Sequence, residues 1–451
     1  IGPMAVDDLE ETVAHVRRAW EGAEQPSPHP LTQEITEFLE IDDGEYARQE
    51  YHEIAPGIGL LKLYGLDLLI EEQFEIVKQS IVNHEGQHSS CVYATIPTAR
   101  HQSSHILKDG NRFLIHNETG IRYVLAVQED WNGDQELRIY SHEEVDSGWI
   151  WQHVLKWFVT EGPLKGEVID GNGLFLDFDT TVTADDVILD TQIRAGVNLN
   201  VHGFIDAMDV MRSRGLPTSR GVLFSGPPGT GKTMLCKSIM NNRGDTTVIY
   251  VTSDTISCAG EISAIYHIAR DFAPSIVMIE DIDTLGGLDR RAHGGHPLLG
   301  ELLNSLSGAQ TNDGVVTVAT SNYAHNLDEA LRDRPGRFDA IFDVGEPSLE
   351  LRIVLLEDAI ARIGITPEFS IEDIARKCDG YTGAWLKELL TEALLLTSLH
   401  QDISTEEIVI HSNVMEIALE NIQSRRGIAA SDVPQVRMSR NGGAALDALY
   451  S

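Results

Sequence analysis

Two short runs carry residues whose types and spacing suit phosphate chemistry. The first is Gly226-Pro227-Pro228-Gly229-Thr230-Gly231-Lys232-Thr233, followed by Met234, and it fits GxxxxGK[ST]. Its glycines let backbone N–H groups converge on phosphate oxygens with no Cβ in the way. A helix opening at Lys232 adds its positive dipole end. Lys232 supplies a point charge to the β- and γ-phosphates, and the Thr233 hydroxyl is a ligand for Mg²⁺. The second run, Ile276-Val277-Met278-Ile279-Glu280-Asp281-Ile282-Asp283, is an apolar strand ending in acids. A buried strand delivers carboxylates rigidly to its end. One holds the Mg²⁺ shell and the next orients or deprotonates the attacking water. The chemistry predicted is Mg²⁺-dependent hydrolysis of a nucleoside triphosphate.

A third constellation competes. His84-Glu85-Gly86-Gln87-His88 matches HExxH. On a helix this sets two imidazoles one turn apart, able to share Zn²⁺, with Glu85 as base. Phe74, Val77 and Ile81 precede it at helical spacing, so a helix ending in this motif is expected. Gly86 weakens that helix. The third ligand stays open among His101, His105, His116 and Glu118. A solvated helix end is the alternative to a zinc site.

The elements that must position these groups follow from periodicity. Residues 8–23 read as an amphipathic helix, 25–30 as a proline-rich loop and 31–40 as a short helix. From about 60 to 180 the pattern is mixed and strand-rich, with strands at 112–116, 121–127 and 136–140 separated by turns at 117–120 and 131–134. From about 186, short apolar strands alternate with helices: 221–225, 247–252, 275–280, 315–320 and 340–344. That rhythm means an α/β fold with a mostly parallel sheet covered on both faces. Helices over 349–362, 371–377, 383–399 and 412–423 form a small helical lid. The expected domains are an α+β N-terminal domain at 4–185, the phosphate-loop domain at 186–346, the lid at 347–424 and a flexible tail at 425–451.

The stretch GLPTSRGVLFSGPPGTGKT at 215–233 closely resembles the phosphate-loop region of AAA ATPases in the AAA+ superfamily. The resemblance continues to about residue 400. The family usually writes its acid pair Asp-Glu. Here the order is reversed, as in a subset that includes the mitochondrial AAA translocase of the Rieske protein and bacterial relatives. The resemblance puts Glu280 at the metal position and Asp281 at the base position. It makes Asn322, after the strand 315–320, a sensor of the water and γ-phosphate. It sends Arg334 and Arg337 of RPGRFD into the neighbouring subunit's nucleotide, which implies a homo-oligomeric ring, typically a hexamer. It lays Gly383 and Ala384 against adenine and ribose, at a helix start that Thr382 is also placed to cap. The family's HExxH fusions carry the peptidase after the motor, whereas this motif precedes it. Cys258 stands where protein-threading members carry a pore aromatic, and the loop at 286–297 is Gly-rich with Arg290, Arg291, His293 and His296. The implied function is an ATPase that remodels, unfolds or translocates a protein partner. An ATP-switched assembly or defence scaffold, a nucleic-acid loader and a motor–metallopeptidase fusion are the alternatives.

Composition narrows the partners. The chain has 451 residues, 34 Lys+Arg against 70 Asp+Glu, and a formal net charge of −36. Such a surface repels phosphate backbones, so nucleic acid is an unfavoured partner. Cys91, Cys236, Cys258 and Cys378 are dispersed with no CxxC, which fits a reducing, cytoplasmic setting. The richest apolar stretch, 385–399, is broken by Lys387, Glu388 and Glu392, so no membrane span is expected. Ile1-Gly2-Pro3 ahead of Met4 reads as a tag scar, and no signal peptide is read.

Overall fold

Apolar runs bounded by turn residues become strands throughout the computed structural model. It describes residues 29–42, 45–55, 57–83, 85–129, 135–252, 255–256, 258–284, 297–307, 312–322, 337–399 and 408–431. The helix expected at 8–23 lies outside these residues. Contacts divide the chain into two units, Ile1–Asp177 and Phe178–Ser451.

The first unit opens with α1 (Pro30–Leu39), whose N-terminus is capped by His29 Nδ1, accepting from the Leu31 N–H at 3.2 Å. Then come β1 (Arg48–Ile54), α2 (Ile58–Gln73), β2 (Phe74–Val82), β3 (His88–Ser89), β4 (Val92–Ala99), β5 (Gln102–His116), β6 (Arg122–Glu129) and β7 (Gln135–Ser141). They are followed by α3 (Gly148–Thr160) and the short β8 (Val168–Ile169). The sheet is antiparallel in the order β1-β7-β6-β5-β2-β3, with β4 also on β5. Leu61, Leu66 and Ile70 of α2, Leu114 and Leu125 of the sheet, and Val154 and Phe158 of α3 are buried. The α+β class expected here is found.

One expectation is overturned. Residues 74–82 form a strand, not the helix that would carry HExxH. Phe74 pairs with His116, and Ser80 with Asn111. Asn83 Oδ1 then accepts from the N–H groups of Glu85 and Gln87 at 3.0 and 2.8 Å, and Gly86 takes φ +75°. An Asn with this side-chain bonding and a glycine in the left-handed region make a turn between strands.

In the second unit, α4 (Thr191–Val197) leads through a π turn at Asn198–His202 into α5 (Gly203–Ser213). The α/β layer comprises β9 (Arg220–Ser225), α6 (Lys232–Asn241), β10 (Thr247–Thr252), α7 (Ala259–Asp271), β11 (Ser275–Glu280), α8 (Pro297–Ser307), β12 (Val315–Ser321) and β13 (Ala340–Asp343). Its strands run parallel in the order β13-β9-β12-β11-β10. β9, β11 and β12 are buried along nearly their whole length, as sheets covered on both faces require.

The helical part comprises α9 (Leu349–Ile363), β14 (Ile365–Glu368), α10 (Ile371–Lys377), α11 (Gly383–Ser398), β15 (Ile408–His411) and α12 (Ser412–Ser431). Ser348 Oγ caps α9 and Ser370 Oγ caps α10, each accepting at 3.2 Å. Gly364, at φ +74°, ends α9. Leu356, Leu389, Leu390, Met415 and Ile422 pack in one core. The parallel pair β14–β15 was not expected, and α12 continues past the predicted 423 to Ser431. Residues 432–451 lie outside those described.

Close approach fixes one point of the sheet. A Cβ on Gly221 would sit 1.7 Å from the Arg337 carbonyl oxygen. The Gly221 N–H donates to Asp339 Oδ2 at 3.0 Å, and its carbonyl accepts from the Asp339 N–H at 2.9 Å. β9 thus clamps the chain that follows the RPGR sequence. Gly221→Ala is expected to cost about 3 kcal/mol through this backbone clash, read as a lower urea midpoint. An unchanged midpoint would show that strand and loop part without cost.

Candidate active site

The site is built at the carboxyl ends of β9, β11 and β12, where an open parallel sheet presents its loops. β9 ends at Ser225, and the Gly226 N–H donates to the Ser321 carbonyl of β12 at 3.1 Å. A Cβ on Gly226 would lie 2.0 Å from the Val344 carbonyl oxygen, so only glycine fits. Gly229 and Gly231 take φ +82° and +103°, turning the loop back onto the start of α6. Lys232 is buried there, and its Nζ donates to the carbonyls of Gly226 and Pro227 at 2.8 and 2.9 Å. Burial lowers the Lys232 pKa, while Asp281, Asp283 and Glu280 pull it upward. Thr230 Oγ1 donates to the Pro227 carbonyl at 3.0 Å, and Met234 is partly exposed beside the loop.

Glu280, the last residue of β11, is 8% exposed. Its Oε2 accepts from Thr233 Oγ1 at 3.4 Å and from Tyr250 Oη at 3.0 Å. Its Oε1 is buried and has no hydrogen-bond partner. Burial raises the Glu280 pKa, and hydrogen bonds from Tyr250, Cys236 and Thr233 work against that rise. Burial and the nearby Glu280 push Tyr250 well above its ordinary value, so the phenol keeps its proton and donates. An orphaned carboxylate oxygen beside a threonine hydroxyl fits a hard divalent cation such as Mg²⁺. No group of three His, Cys, Asp or Glu fit for a metal occurs among the described residues.

Asp281 has φ +52°, an uncommon conformation for a residue with a side chain. Three neighbours hold it there. Its N–H donates to Thr320 Oγ1 at 2.9 Å. Asn322 Nδ2 donates to Asp281 Oδ1 at 2.9 Å. Thr284 donates from both N–H and Oγ1 to the Asp281 carbonyl at 2.8 Å. The Asn322 N–H also donates to Asp283 Oδ1 at 3.0 Å. The predicted sensor and the predicted base are therefore one hydrogen-bonded unit.

The start of α11 closes over the phosphate loop. The Ala384 N–H donates to the Gly229 carbonyl at 3.1 Å, and a Cβ on Gly383 would lie 3.7 Å from the same oxygen. Thr382 does not cap α11 through its side chain. Its Oγ1 is buried without a hydrogen-bond partner, and the nearby Gly229 leaves it room. Arg426 of α12 braces this turn, stacking over Tyr381 at 4.0 Å and donating to the Gly380 carbonyl at 2.7 Å.

The remaining predicted groups fall elsewhere. Arg337 is 8% exposed, buried within its own protomer. Arg334 and the loop residues Arg290, Arg291, His293 and His296 lie outside the described residues. Cys258 is exposed, and its N–H donates to Glu261 Oε2 at 3.4 Å, which caps the helix start. In the first unit, His84 lies outside the described residues. His88 starts β3, with Nε2 2.9 Å from Glu34 Oε1 and Nδ1 3.0 Å from Ser80 Oγ. His105 Nδ1 bonds Thr95, and His116 Nδ1 bonds Thr119. The helical carrier of HExxH is absent, because pairing with β5 makes the preceding segment a strand. Sequence reasoning missed Tyr250, Cys236, Thr320 and Arg426. A tyrosine inside the apolar run TVIYVT was the one visible hint.

Residues 222–346 match the profile of the ATPase family associated with various cellular activities (AAA). The chain carries an AAA ATPase domain. It is also distantly similar to ATP-dependent zinc metalloproteases. FtsH 2 of Thermoanaerobacter sp. is 31% identical over 200 residues, 43% of this chain and 39% of that protein. The YME1 homolog of Schistosoma mansoni is 32% identical over 198 residues, 42% of this chain and 30% of that protein. The chloroplastic FTSH of Nicotiana tabacum is 29% identical over 280 residues, 59% of this chain and 38% of that protein. In each case the match spans well under half the relative's length. AAA domains in general bind ATP with Mg²⁺ and commonly oligomerise. Among the described residues, no helix is long and apolar enough to cross a membrane.

The buried acid has a pH signature. Glu280 is held above its ordinary value of 4.5, so the folded state binds this proton more tightly than the unfolded chain does. The cost of burying the charge is present above the folded-state pKa and gone below the ordinary value. In metal-free buffer, Glu280→Gln is expected to raise the urea midpoint at neutral pH, with the gain shrinking as pH falls toward 4.5. A pH-independent difference would break this link between burial and the acid.

Proposed function

We propose that this chain is a ring-forming ATPase that couples Mg·ATP hydrolysis to remodelling, unfolding or translocating a protein partner. The observation that carries the hydrolytic part is the convergence of Lys232, Thr233, Glu280, Asp281 and Asn322 at adjacent strand ends, with one Glu280 oxygen buried and unpartnered. Thr233 and Glu280 are the residues to hold Mg²⁺, which when bound neutralises phosphate charge. Lys232 releases the loop carbonyls it now holds and turns to the β- and γ-phosphates. Asp281 orients the attacking water and takes its proton, while Asn322 keeps that carboxylate in place. Gly383 and Ala384 cover the base and sugar. Arg334, with Arg337, completes the charge set from a neighbouring copy. The burial of Arg337 makes Arg334 the first to test.

The order Glu280-Asp281 supports a place near the Glu-Asp subset that includes the Rieske-protein translocase. A protein as partner is supported by the resemblance to ATP-dependent proteases. The charge of −36 argues against nucleic acid. The zinc chemistry in those relatives' names is not carried over, since Glu34 and Ser80 engage His88. Dispersed free cysteines support a cytoplasmic setting. One observation favours a second reading, an ATP-switched scaffold. Cys258, at the expected pore position, begins a helix and offers no aromatic grip. Turnover that rises with unfolded protein supports the motor, and indifference supports the scaffold.

Lys232→Ala is expected to abolish binding of a fluorescent ATP analogue. Asp281→Asn is expected to bind it normally and lose at least ~100-fold in turnover, trapping an assembled ring that can be used to capture the partner. Parental turnover in Asp281→Asn would remove Asp281 as the base. Arg334→Ala is expected to bind ATP and turn over ~1000-fold more slowly, and undiminished activity on dilution to monomers would exclude a shared site.

A further inference from the structure

The reversed acid pair places a side chain one methylene longer than aspartate at the metal position, and a longer carboxylate has more ways to point. Three side chains close in on it. Thr233 and Cys236 come from successive turns of α6, and Tyr250 comes from the middle of the adjacent strand β10. β10 and β11 run in register, Thr252 opposite Glu280, so Tyr250 lies two residues back along the neighbouring strand on the same sheet face. From there its phenol reaches Glu280 Oε2 at 3.0 Å. Cys236 is fully buried against the same carboxylate. The consequence is an asymmetric carboxylate. Oε2 is held by protein hydroxyls, and Oε1 is buried and has no partner.

We propose that Tyr250 is a positioning residue that fixes the rotamer of Glu280 and so sets the divalent-cation requirement of the site. The inference rests on the Mg·ATP reading above. Without the phenol, Glu280 keeps only the longer contact from Thr233 and the weak thiol donor, and the carboxylate swings. The hydroxyl is bound to Glu280 Oε2, so its effect runs through Glu280.

The test is Tyr250→Phe, which keeps the ring that packs in β10. Binding of a fluorescent ATP analogue is titrated with Mg²⁺, alongside turnover and thermal unfolding. The half-saturating Mg²⁺ concentration is expected to rise roughly 10-fold or more, the worth of one hydrogen bond to a charged group. Analogue binding in EDTA is expected to stay within about 2-fold of the parent, since the bond lost is to Glu280 and not to the phosphate loop. Glu280→Asp, made separately, withdraws the carboxylate from the same hydroxyl and should show a comparable rise with Tyr250 intact. In the Glu280→Asp background, adding Tyr250→Phe should change the Mg²⁺ requirement by less than about 2-fold, because the interaction is already lost. An unchanged Mg²⁺ requirement in folded Tyr250→Phe overturns the proposal, as does a full effect in the Glu280→Asp background. Should Tyr250→Phe not fold, a Glu280→Asp protein with the parental Mg²⁺ requirement overturns it equally. If the parent itself binds nucleotide without regard to Mg²⁺, the Mg·ATP reading fails first, and that result is visible before any variant is made.

Discussion

Charge taken out of water is tolerated only where other charges and dipoles replace the solvent. This constraint organises the site. Lys232 is buried near three carboxylates, those of Glu280, Asp281 and Asp283. Three acids against one ammonium leave an excess of negative charge in a low-dielectric pocket, which favours a divalent cation there. The lysine meanwhile satisfies its donors on the loop's own carbonyls. Those bonds are short and local, so a phosphate can replace them without rearranging the fold. The parallel sheet makes the crowding affordable, because its buried strands hold the acids at fixed positions and rigid backbone opposes their separation.

The reversed acid pair is met by compensation at both positions. At Glu280 the extra methylene is taken up by donors from α6 and β10. At Asp281 the side chain is one methylene shorter than a glutamate's. The backbone there is left-handed, and such a conformation costs on the order of 1–2 kcal/mol for a residue with a Cβ. Thr320, Asn322 and Thr284 make four hydrogen bonds to Asp281 that hold it. Backbone strain maintained by several neighbours is a mark of a working site rather than a folding accident. Asn322 therefore acts through Asp281 as well as on any ligand, which ties the end of β12 to the end of β11.

Much of this was legible in the chain. The parallel strands are short runs rich in apolar residues, and the phosphate loop announces itself by glycines whose positive φ and missing Cβ the fold then uses. The misread segment shows where periodicity fails. Phe74, Val77 and Ile81 recur at helical spacing, yet Val77 is 51% exposed and Ile76 41%. Phe74 is buried but Val77 is not, so the helical spacing does not mark one buried face. Pairing with the long β5 decided the structure instead. Helix α2 escaped for the opposite reason. IGLLKLYGLDLLIEEQ is apolar almost all round, so no period stands out.

What could not be read was contact across sequence distance. Tyr250 lies 30 residues before Glu280 and Arg426 lies 46 residues after Gly380, and neither sits in a motif. Both act on backbone or side chains already identified, one fixing a carboxylate and the other the turn at the start of α11. Arg426 gives that turn a physical link to the last described helix, and Ala384 links the turn to Gly229. One backbone hydrogen bond thus joins the phosphate loop to α11, and one guanidinium joins the turn before α11 to α12. The motifs place the reacting groups. The residues between motifs decide how stiffly those groups are held and which parts of the lid feel them move.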